Sequence, residues 1–171
     1  YKTDLPDRNA QKETGVIQTV TVAPVAVDPN YADPKIRQAI SMAIDRDTII
    51  KQIFNGTRVP ATGWVSPVVD GYKAEQCGEY CKAKAKLAEA GGFKGDKITL
   101  SYNADAAHKE WTEATCNSIK QALGVECQAV GVVDFATFRS QIGDRKMKGM
   151  FRTGWQMDYP SIENFLAPIY K

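Results

Sequence analysis

The chain has 171 residues, enough for one domain of ordinary size or two small ones. Hydrophobic residues make up 43% and charged residues 25%, and the formal net charge is +2. This composition excludes disordered, collagen-like and coiled-coil chains. Because no long run of like charge occurs, we expect no nucleic-acid binding. The most apolar stretch, Thr21 to Val27, is interrupted by Pro24 and is too short to span a bilayer, so we expect no direct membrane insertion.

The chain divides into two regions. Residues 1–15 are polar and lack a clear period, which predicts a linker or extended arm. Residues 16–171 are predicted to form a single α/β lobe. The dense β-branched residues from Val16 to Val22 indicate its first strand, which Pro24 ends.

Two helices with strong signals follow this strand. Asp33 is predicted to cap the first helix, with Pro34 in its first turn. Apolar residues then recur at the spacing of one buried helical face: Ile36, Ala39, Ile40, Ala43 and Ile44. Asp45 is predicted to cap the second helix, and Gly56 suits the left-handed residue that often ends one.

The rest of the chain alternates helices and strands. Residues 57–81 predict a long loop and residues 82–90 a short helix. Strands are predicted over 97–102, 125–130 and 149–155, with helices over 106–123, ended by Gly124, and after Asp134. This alternation predicts an α/β fold with a mainly parallel sheet flanked by helices. Ligands gather at the carboxyl ends of such strands, which draws attention to the segment from Gly154 to Tyr159.

The four cysteines bear on the cellular compartment. Cys77, Cys81, Cys116 and Cys127 form an even set, which is typical of disulfides in an exported protein, and three pairings are open. A bridge between Cys116 and Cys127 would pin a predicted helix to the next strand. The alternative is four buried free thiols in a cytosolic protein. The spacing does not favour a structural zinc site, so we expect no metal.

Signals for catalysis are weak. The chain has neither a Gly-x-Ser-x-Gly motif nor a second histidine, and the polar neighbours of His108 predict a solvated helix residue. Phosphate-binding and dinucleotide-binding glycine motifs are absent from the sequence, so no cofactor is expected.

One segment combines the groups that a zwitterion needs. Asp158 could bind an ammonium and Arg152 a carboxylate, both through charge-assisted hydrogen bonds. Trp155 and Tyr159 could form the walls of an apolar pocket, and Gly154 leaves room for another chain to approach. These five residues are the predicted ligand-binding set.

The same segment also has a purely structural interpretation. Asp158 would cap a helix that begins near Pro160, Trp155 would lie in the core, and Arg152 would pair with a surface acid. The residue types alone leave both interpretations open.

Several segments together resemble a known family. The sequence Arg37-Gln38-Ala39-Ile40-Ser41-Met42-Ala43-Ile44-Asp45-Arg46 is similar to the Arg-Gln-Ala-Ile-x-x-Ala-Ile-Asp-Arg signature of the family 5 extracellular solute-binding proteins. Residues 82–91, 123–125 and 154–166 agree with further segments of that family in the same order.

The resemblance implies a type II periplasmic-binding-protein fold, in which two lobes close on a ligand and this chain supplies part of the C-terminal lobe. It also implies a binding component of an ABC importer for peptides or similar small solutes, without catalysis. A carboxylate at Asp158 would hold the α-amino group of a peptide, and Arg152 would meet its carboxyl end in some members.

Further expectations follow from the family. The partners would be ABC permease subunits in the membrane, and the protein would be a monomer. It would work in an extracellular or periplasmic location, and the full-length protein would be a lipoprotein anchored to the cytoplasmic membrane. Two other classes stay open on the sequence: a hydrolase or transferase whose acidic residues converge only in three dimensions, and an autonomous structural or protein-interaction domain.

Overall fold

A computed structural model describes residue 7 and residues 10–73 and 92–170. Strands and helices alternate along the described chain: β1 (Val16–Val22), α1 (Pro34–Ala43), α2 (Arg46–Ile53), β2 (Ile98–Asn103), α3 (Lys109–Leu123), β3 (Cys127–Val132), α4 (Phe135–Gly143), β4 (Met150–Gln156) and α5 (Ile162–Tyr170). The predicted α/β class is confirmed. The helix predicted over 82–90 and the residues Cys77 and Cys81 lie outside the described residues.

The four strands form one sheet in the order β1-β4-β2-β3. β2 runs parallel to both β3 and β4, as the strand-helix alternation predicts. β1 runs antiparallel to β4, with Val22 opposite Met150 and Val16 opposite Gln156. The sheet is therefore mainly parallel, with one antiparallel strand at its edge.

Helices cover both faces of the sheet. On one face, apolar side chains of α1 and α3 pack against β2 and β4 in a cluster that includes Ile40, Ile119, Leu100 and Met150. On the other face, Phe138 of α4 packs against Phe151. Met150 and Phe151 are successive strand residues and point to opposite sides. Right-handed crossovers place α3 and α4 on opposite faces of the sheet. The chain moves from β2 to β3 in one direction across the sheet through α3, and it returns through α4 to β4 on the other side of β2.

A third apolar cluster fixes the end of β4. Phe165 of α5 and Val65 and Val69 of the loop after α2 pack with Ile17 of β1. Trp155 of β4 is partly buried against the same cluster. The predicted long loop therefore supports the strand end that carries the candidate ligand-binding residues.

The predicted helix caps are present. The Asp33 carboxylate accepts a hydrogen bond from the backbone N–H of Lys35 at 2.8 Å, and that of Asp45 accepts one from Thr48 at 3.0 Å. The Asp134 carboxylate accepts a bond from the Thr137 N–H at 2.7 Å. Short polar side chains that satisfy free N–H groups explain why these helices begin where the sequence predicts.

β2 and β4 are each shifted by one residue from the prediction, and the starts of α3 and β3 differ from it by two residues or more. α3 begins at Lys109 and not near residue 106, because the carboxylate of Asp105 bonds to Asn103 at the end of β2 and to Phe135 at the start of α4 and does not cap α3. β3 begins at Cys127 and not at residue 125, because Cys127 is the residue that lies opposite Ile98, the first residue of β2.

A disulfide between Cys116 and Cys127 joins α3 to β3. Both cysteines are buried at the interface between this helix and the sheet. The predicted bridge from helix to sheet is thus confirmed. In the part of the chain that the structure describes, no helix is both long and apolar enough to cross a membrane.

Candidate functional site

The carboxyl ends of β2 and β4 lie side by side, since the two strands are parallel neighbours with Ser101 opposite Phe151. Ligand sites of α/β sheets form at this edge. Two groups of polar side chains lie here. The Arg152 cluster consists of Arg152, Asn103, Gln18 and Asp105, and the Asp158 cluster consists of Asp158, Asn164 and Trp155.

Arg152 is a buried cation whose hydrogen bonds go to neutral groups. Its side chain is 8% exposed. Nε donates to Asn103 Oδ1 at 3.0 Å, and Nη1 donates to Gln18 Oε1 at 3.4 Å. The guanidinium carbon also lies 5.7 Å from the centre of the Phe135 ring. The predicted alternative, a pair with a surface acid, is not what the structure has, since Arg152 forms no ion pair with any described residue.

Electrostatics favours an anion near this arginine. Burial lowers the pKa of Arg152, and the negative charge of Asp105 works in the opposite direction. Arginine nevertheless stays protonated in proteins because its ordinary pKa lies so high. A buried positive charge without a carboxylate in direct contact can therefore accept the carboxylate of a ligand.

Asp105 ties the end of β2 to the start of α4. Its Oδ1 accepts a hydrogen bond from Asn103 Nδ2 at 2.6 Å, and its Oδ2 accepts one from the Phe135 N–H at 3.0 Å. These bonds hold the pKa of Asp105 below its ordinary value. Since both carboxylate oxygens are engaged, Asp105 orients Asn103, and Asn103 in turn orients Arg152.

His108 lies in a different environment from the solvated one that its neighbours predict. It is half-buried at the start of α3, and its Nδ1 accepts a hydrogen bond from Trp111 Nε1 at 3.2 Å. Burial lowers the pKa of His108, and the charge of Arg152 lowers it further. The imidazole is therefore neutral at pH 7, which leaves Arg152 as the positive charge of this cluster.

Asp158 is exposed and is held by one buried amide. Its Oδ2 accepts a hydrogen bond from Asn164 Nδ2 at 3.3 Å, and its backbone N–H donates to Asn164 Oδ1 at 2.9 Å. The helix-cap alternative is not what the structure has: α5 begins at Ile162, and the N–H of Glu163 donates to Ser161 Oγ. No basic side chain of the described residues forms an ion pair with Asp158, so its carboxylate can take a cation.

Trp155 joins the same group through its ring nitrogen. Its Nε1 donates to Asn164 Oδ1 at 2.8 Å, while the rest of the indole packs against the cluster around Phe165. The indole of Trp155 therefore packs partly in the core, and its ring nitrogen shares the Asn164 amide with Asp158. Tyr159 is 48% exposed, and no hydrogen bond among the described residues connects it to either cluster.

Gly154 lies next to the Arg152 cluster. A Cβ atom at this position would lie 2.6 Å from Gln18 Nε2 and 3.1 Å from Arg152 Nη1. The glycine thus leaves the space that the Gln18 and Arg152 side chains occupy.

Four polar residues of the two clusters were not predicted: Gln18, Asn103, Asp105 and Asn164. Asn103 and Asp105 follow a predicted parallel strand, so the rule that directs attention to the carboxyl end of β4 could have identified them. Gln18 and Asn164 reach the site only through strand pairing and a turn, and their local sequence contains no such signal.

The chain matches the family described as "Bacterial extracellular solute-binding proteins, family 5 Middle" over residues 3–171. It is 32% identical over 152 residues to the periplasmic oligopeptide-binding protein OppA of Escherichia coli K12, covering 81% of this chain and 27% of that protein. It is 30% identical over 148 residues to the glutathione-binding protein GsiB of Salmonella typhimurium, covering 82% of this chain and 28% of that protein.

Solved structures agree on the fold. The murein tripeptide binding protein MppA of Escherichia coli superimposes with a TM-score of 0.78 at 23% identity, covering 97% of this chain and 34% of that chain. The relatives are binding proteins by name, and none supports the hydrolase or transferase alternative. The chain spans 27–34% of the length of these proteins. It belongs to the family 5 bacterial extracellular solute-binding proteins.

Proposed function

We propose that this chain forms part of the C-terminal lobe of the substrate-binding component of an ABC importer. In this proposal, the lobe closes with a second lobe around a short peptide or a similar small solute. Family membership supports the class of function. The observation that carries the proposal for the site is the exposed Asp158 carboxylate, which is held by a neutral amide and forms no ion pair within the described chain.

The amino end of the ligand would bind at the Asp158 cluster. A carboxylate forms charge-assisted hydrogen bonds with an ammonium group, and these are stronger than neutral ones. The indole of Trp155 lies beside Asp158 through their shared partner Asn164, and it would provide an apolar wall for the first residue of the ligand. Tyr159 would border the same end.

The carboxyl end of the ligand would bind at the Arg152 cluster. The guanidinium presents several N–H donors in one plane, a geometry that matches a carboxylate. Only its Nε and Nη1 donate to described residues, and both acceptors are neutral. Gly154 keeps the strand free of a side chain next to this group. A ligand carboxylate would thus supply the negative charge that the described residues do not place in contact with Arg152.

The remaining assignments are also proposals. Residues 1–15 would be a linker or arm and residues 16–171 a single lobe. The protein would be a monomer that delivers its ligand to ABC permease subunits. It would act in an extracellular or periplasmic location and be lipid-anchored in its full-length form.

The Asp158→Asn variant tests the amino site. The complete gene product that contains this chain is first screened against a random tripeptide library by native mass spectrometry. Calorimetry then measures the tightest-binding tripeptide and its N-acetylated form. We expect the variant to bind the free-amino peptide about tenfold or more weakly, since a hydrogen bond to a charged group contributes roughly 1.5–3 kcal/mol. Binding of the acetylated peptide should change little, because it lacks the ammonium.

Asp144→Asn is the matched control. It makes the same chemical change at an exposed position after α4, where Asp144 pairs with Lys146, and it should leave both affinities unchanged. Equal weakening of the free and acetylated peptides by Asp158→Asn would contradict the amino-site assignment. Failure of the unaltered protein to retain any member of the library would contradict peptide binding itself.

The Arg152→Gln variant tests the carboxyl site with the same peptide and its C-terminal amide. We expect the variant to bind the free-carboxylate peptide about tenfold more weakly and the amide with little change. A circular-dichroism melting curve establishes that the variant is folded, and Arg152→Lys, which keeps the charge, should lose less affinity. Equal loss for acid and amide would show that Arg152 has only a structural role.

A further inference from the structure

The side chain of Asn164 connects three groups of the Asp158 cluster. It is 4% exposed, in the first turn of α5. Its Oδ1 accepts hydrogen bonds from the Trp155 indole at 2.8 Å and from the Asp158 backbone N–H at 2.9 Å. Its Nδ2 donates to Asp158 Oδ2 at 3.3 Å. One amide thus fixes the indole, the turn and the carboxylate relative to one another.

The residue types suit this arrangement. A buried amide oxygen can accept two hydrogen bonds while the amide nitrogen, a separate atom, donates a third to another group. The neighbouring Phe165 is 1% exposed in the apolar cluster and anchors the helix turn that carries Asn164. Asn164 is therefore held from the core side, so its amide forms a rigid support beneath an exposed carboxylate.

Asn164 binds one carboxylate oxygen of Asp158 and leaves the other open. Oδ2 is the oxygen that accepts from Asn164, and within the described residues Oδ1 accepts no hydrogen bond. A carboxylate that is free to rotate must lose that freedom when it binds a ligand, which costs affinity. Fixing Asp158 in advance removes this cost.

We infer that Asn164 is a positioning residue that sets the affinity for the free amino end of the ligand by acting through Asp158. The inference rests on the proposed function, since it assumes that Asp158 receives an ammonium. Asn164 itself does not need to contact the ligand. Its effect should therefore appear only with ligands that carry a free amino end, and only when Asp158 carries its charge.

The test combines Asn164→Ala and Asp158→Asn in a double-mutant cycle on the complete gene product. The probes are the tripeptide selected from the library and its N-acetylated form, both measured by calorimetry. We expect Asn164→Ala to weaken the free-amino peptide about tenfold and the acetylated peptide less than twofold. In the Asp158→Asn background, the same change should weaken the free-amino peptide by no more than about twofold. Residues that act as a unit give such non-additive effects.

The test includes a control variant and a second variant at position 164. Asn117→Ala changes an exposed asparagine on α3 and should leave both affinities unchanged. If Asn164→Ala does not fold, Asn164→Ser replaces it, because a serine hydroxyl is too short to bond the indole and the Asp158 carboxylate together. The serine variant should show the same loss for the free-amino peptide.

The outcomes separate this inference from the proposed function. If Asp158→Asn does not distinguish the free from the acetylated peptide, the amino-site assignment fails and the inference fails with it. If Asp158→Asn does distinguish them, but the Asn164 variants weaken both peptides equally or add their full effect to Asp158→Asn, Asn164 is only structural. The inference is then overturned while the proposed function stands.

Discussion

Replacing Gly149 by alanine is expected to lower the free energy of unfolding by about 3 kcal/mol. Gly149 has φ +75°, in the left-handed region, where a side chain costs about 1–2 kcal/mol. A Cβ atom there would also lie 2.9 Å from the backbone oxygen of Thr99 and would collide with the Thr99 side chain. Overpacking of this kind costs about 1–3 kcal/mol. Urea denaturation monitored by tryptophan fluorescence measures the loss.

Gly124→Ala separates the two contributions. Gly124 ends α3 at φ +68°, and a Cβ there would meet nothing within 4 Å. Its alanine variant should lose only the backbone contribution, about 1–2 kcal/mol. If the two variants lose the same stability, the close approach of Gly149 to Thr99 makes no contribution of its own.

Removal of the bridge between α3 and β3 is expected to have an effect of similar size. The Cys116→Ala, Cys127→Ala double variant opens a loop with a sequence separation of 11 residues. The loop-entropy relation gives a loss of about 3 kcal/mol for such a loop. Alanine is preferred to serine because both positions are buried, and a hydroxyl there would need a hydrogen-bond partner.

The urea dependence identifies the mechanism of this loss. Without the bridge, the unfolded chain expands and exposes more surface, so the slope of stability against urea should rise along with the fall in stability. A packing defect alone would lower stability and leave the slope unchanged. A loss below about 1 kcal/mol would contradict the loop-entropy account.

Local signals predict most elements of this fold correctly. β1 is predicted over the residues that form it, and three helices begin at the predicted caps Asp33, Asp45 and Asp134. These features depend on interactions between side chains and nearby backbone groups. A short window of sequence is therefore enough to predict where these elements begin. The antiparallel direction of β1 was not predicted, because its partner β4 lies more than a hundred residues further along the chain.

In the candidate site, too, some residues can be predicted from the local sequence and others cannot. Arg152, Trp155 and Asp158 were identified because a parallel strand ends among them, and strand ends are where α/β sheets bind ligands. The groups that hold them in place were missed. Gln18 reaches Arg152 only because β1 pairs with β4, and Asn164 reaches Asp158 only after the chain turns into α5. The residues proposed to bind the ligand leave a local pattern, whereas the residues proposed to position them depend on the tertiary structure.

The pairing of β1 with β4 also constrains the order in which the sheet can be completed. Within the described residues, β1 pairs only with residues 150–156. A ribosome must therefore make the chain through residue 156 before β1 can pair with β4. Contacts of such long sequence separation slow folding, since a large loop has to close before they form. Until then, a valine-rich strand has both edges open to other chains, and a chaperone that covers residues 16–22 would protect this intermediate.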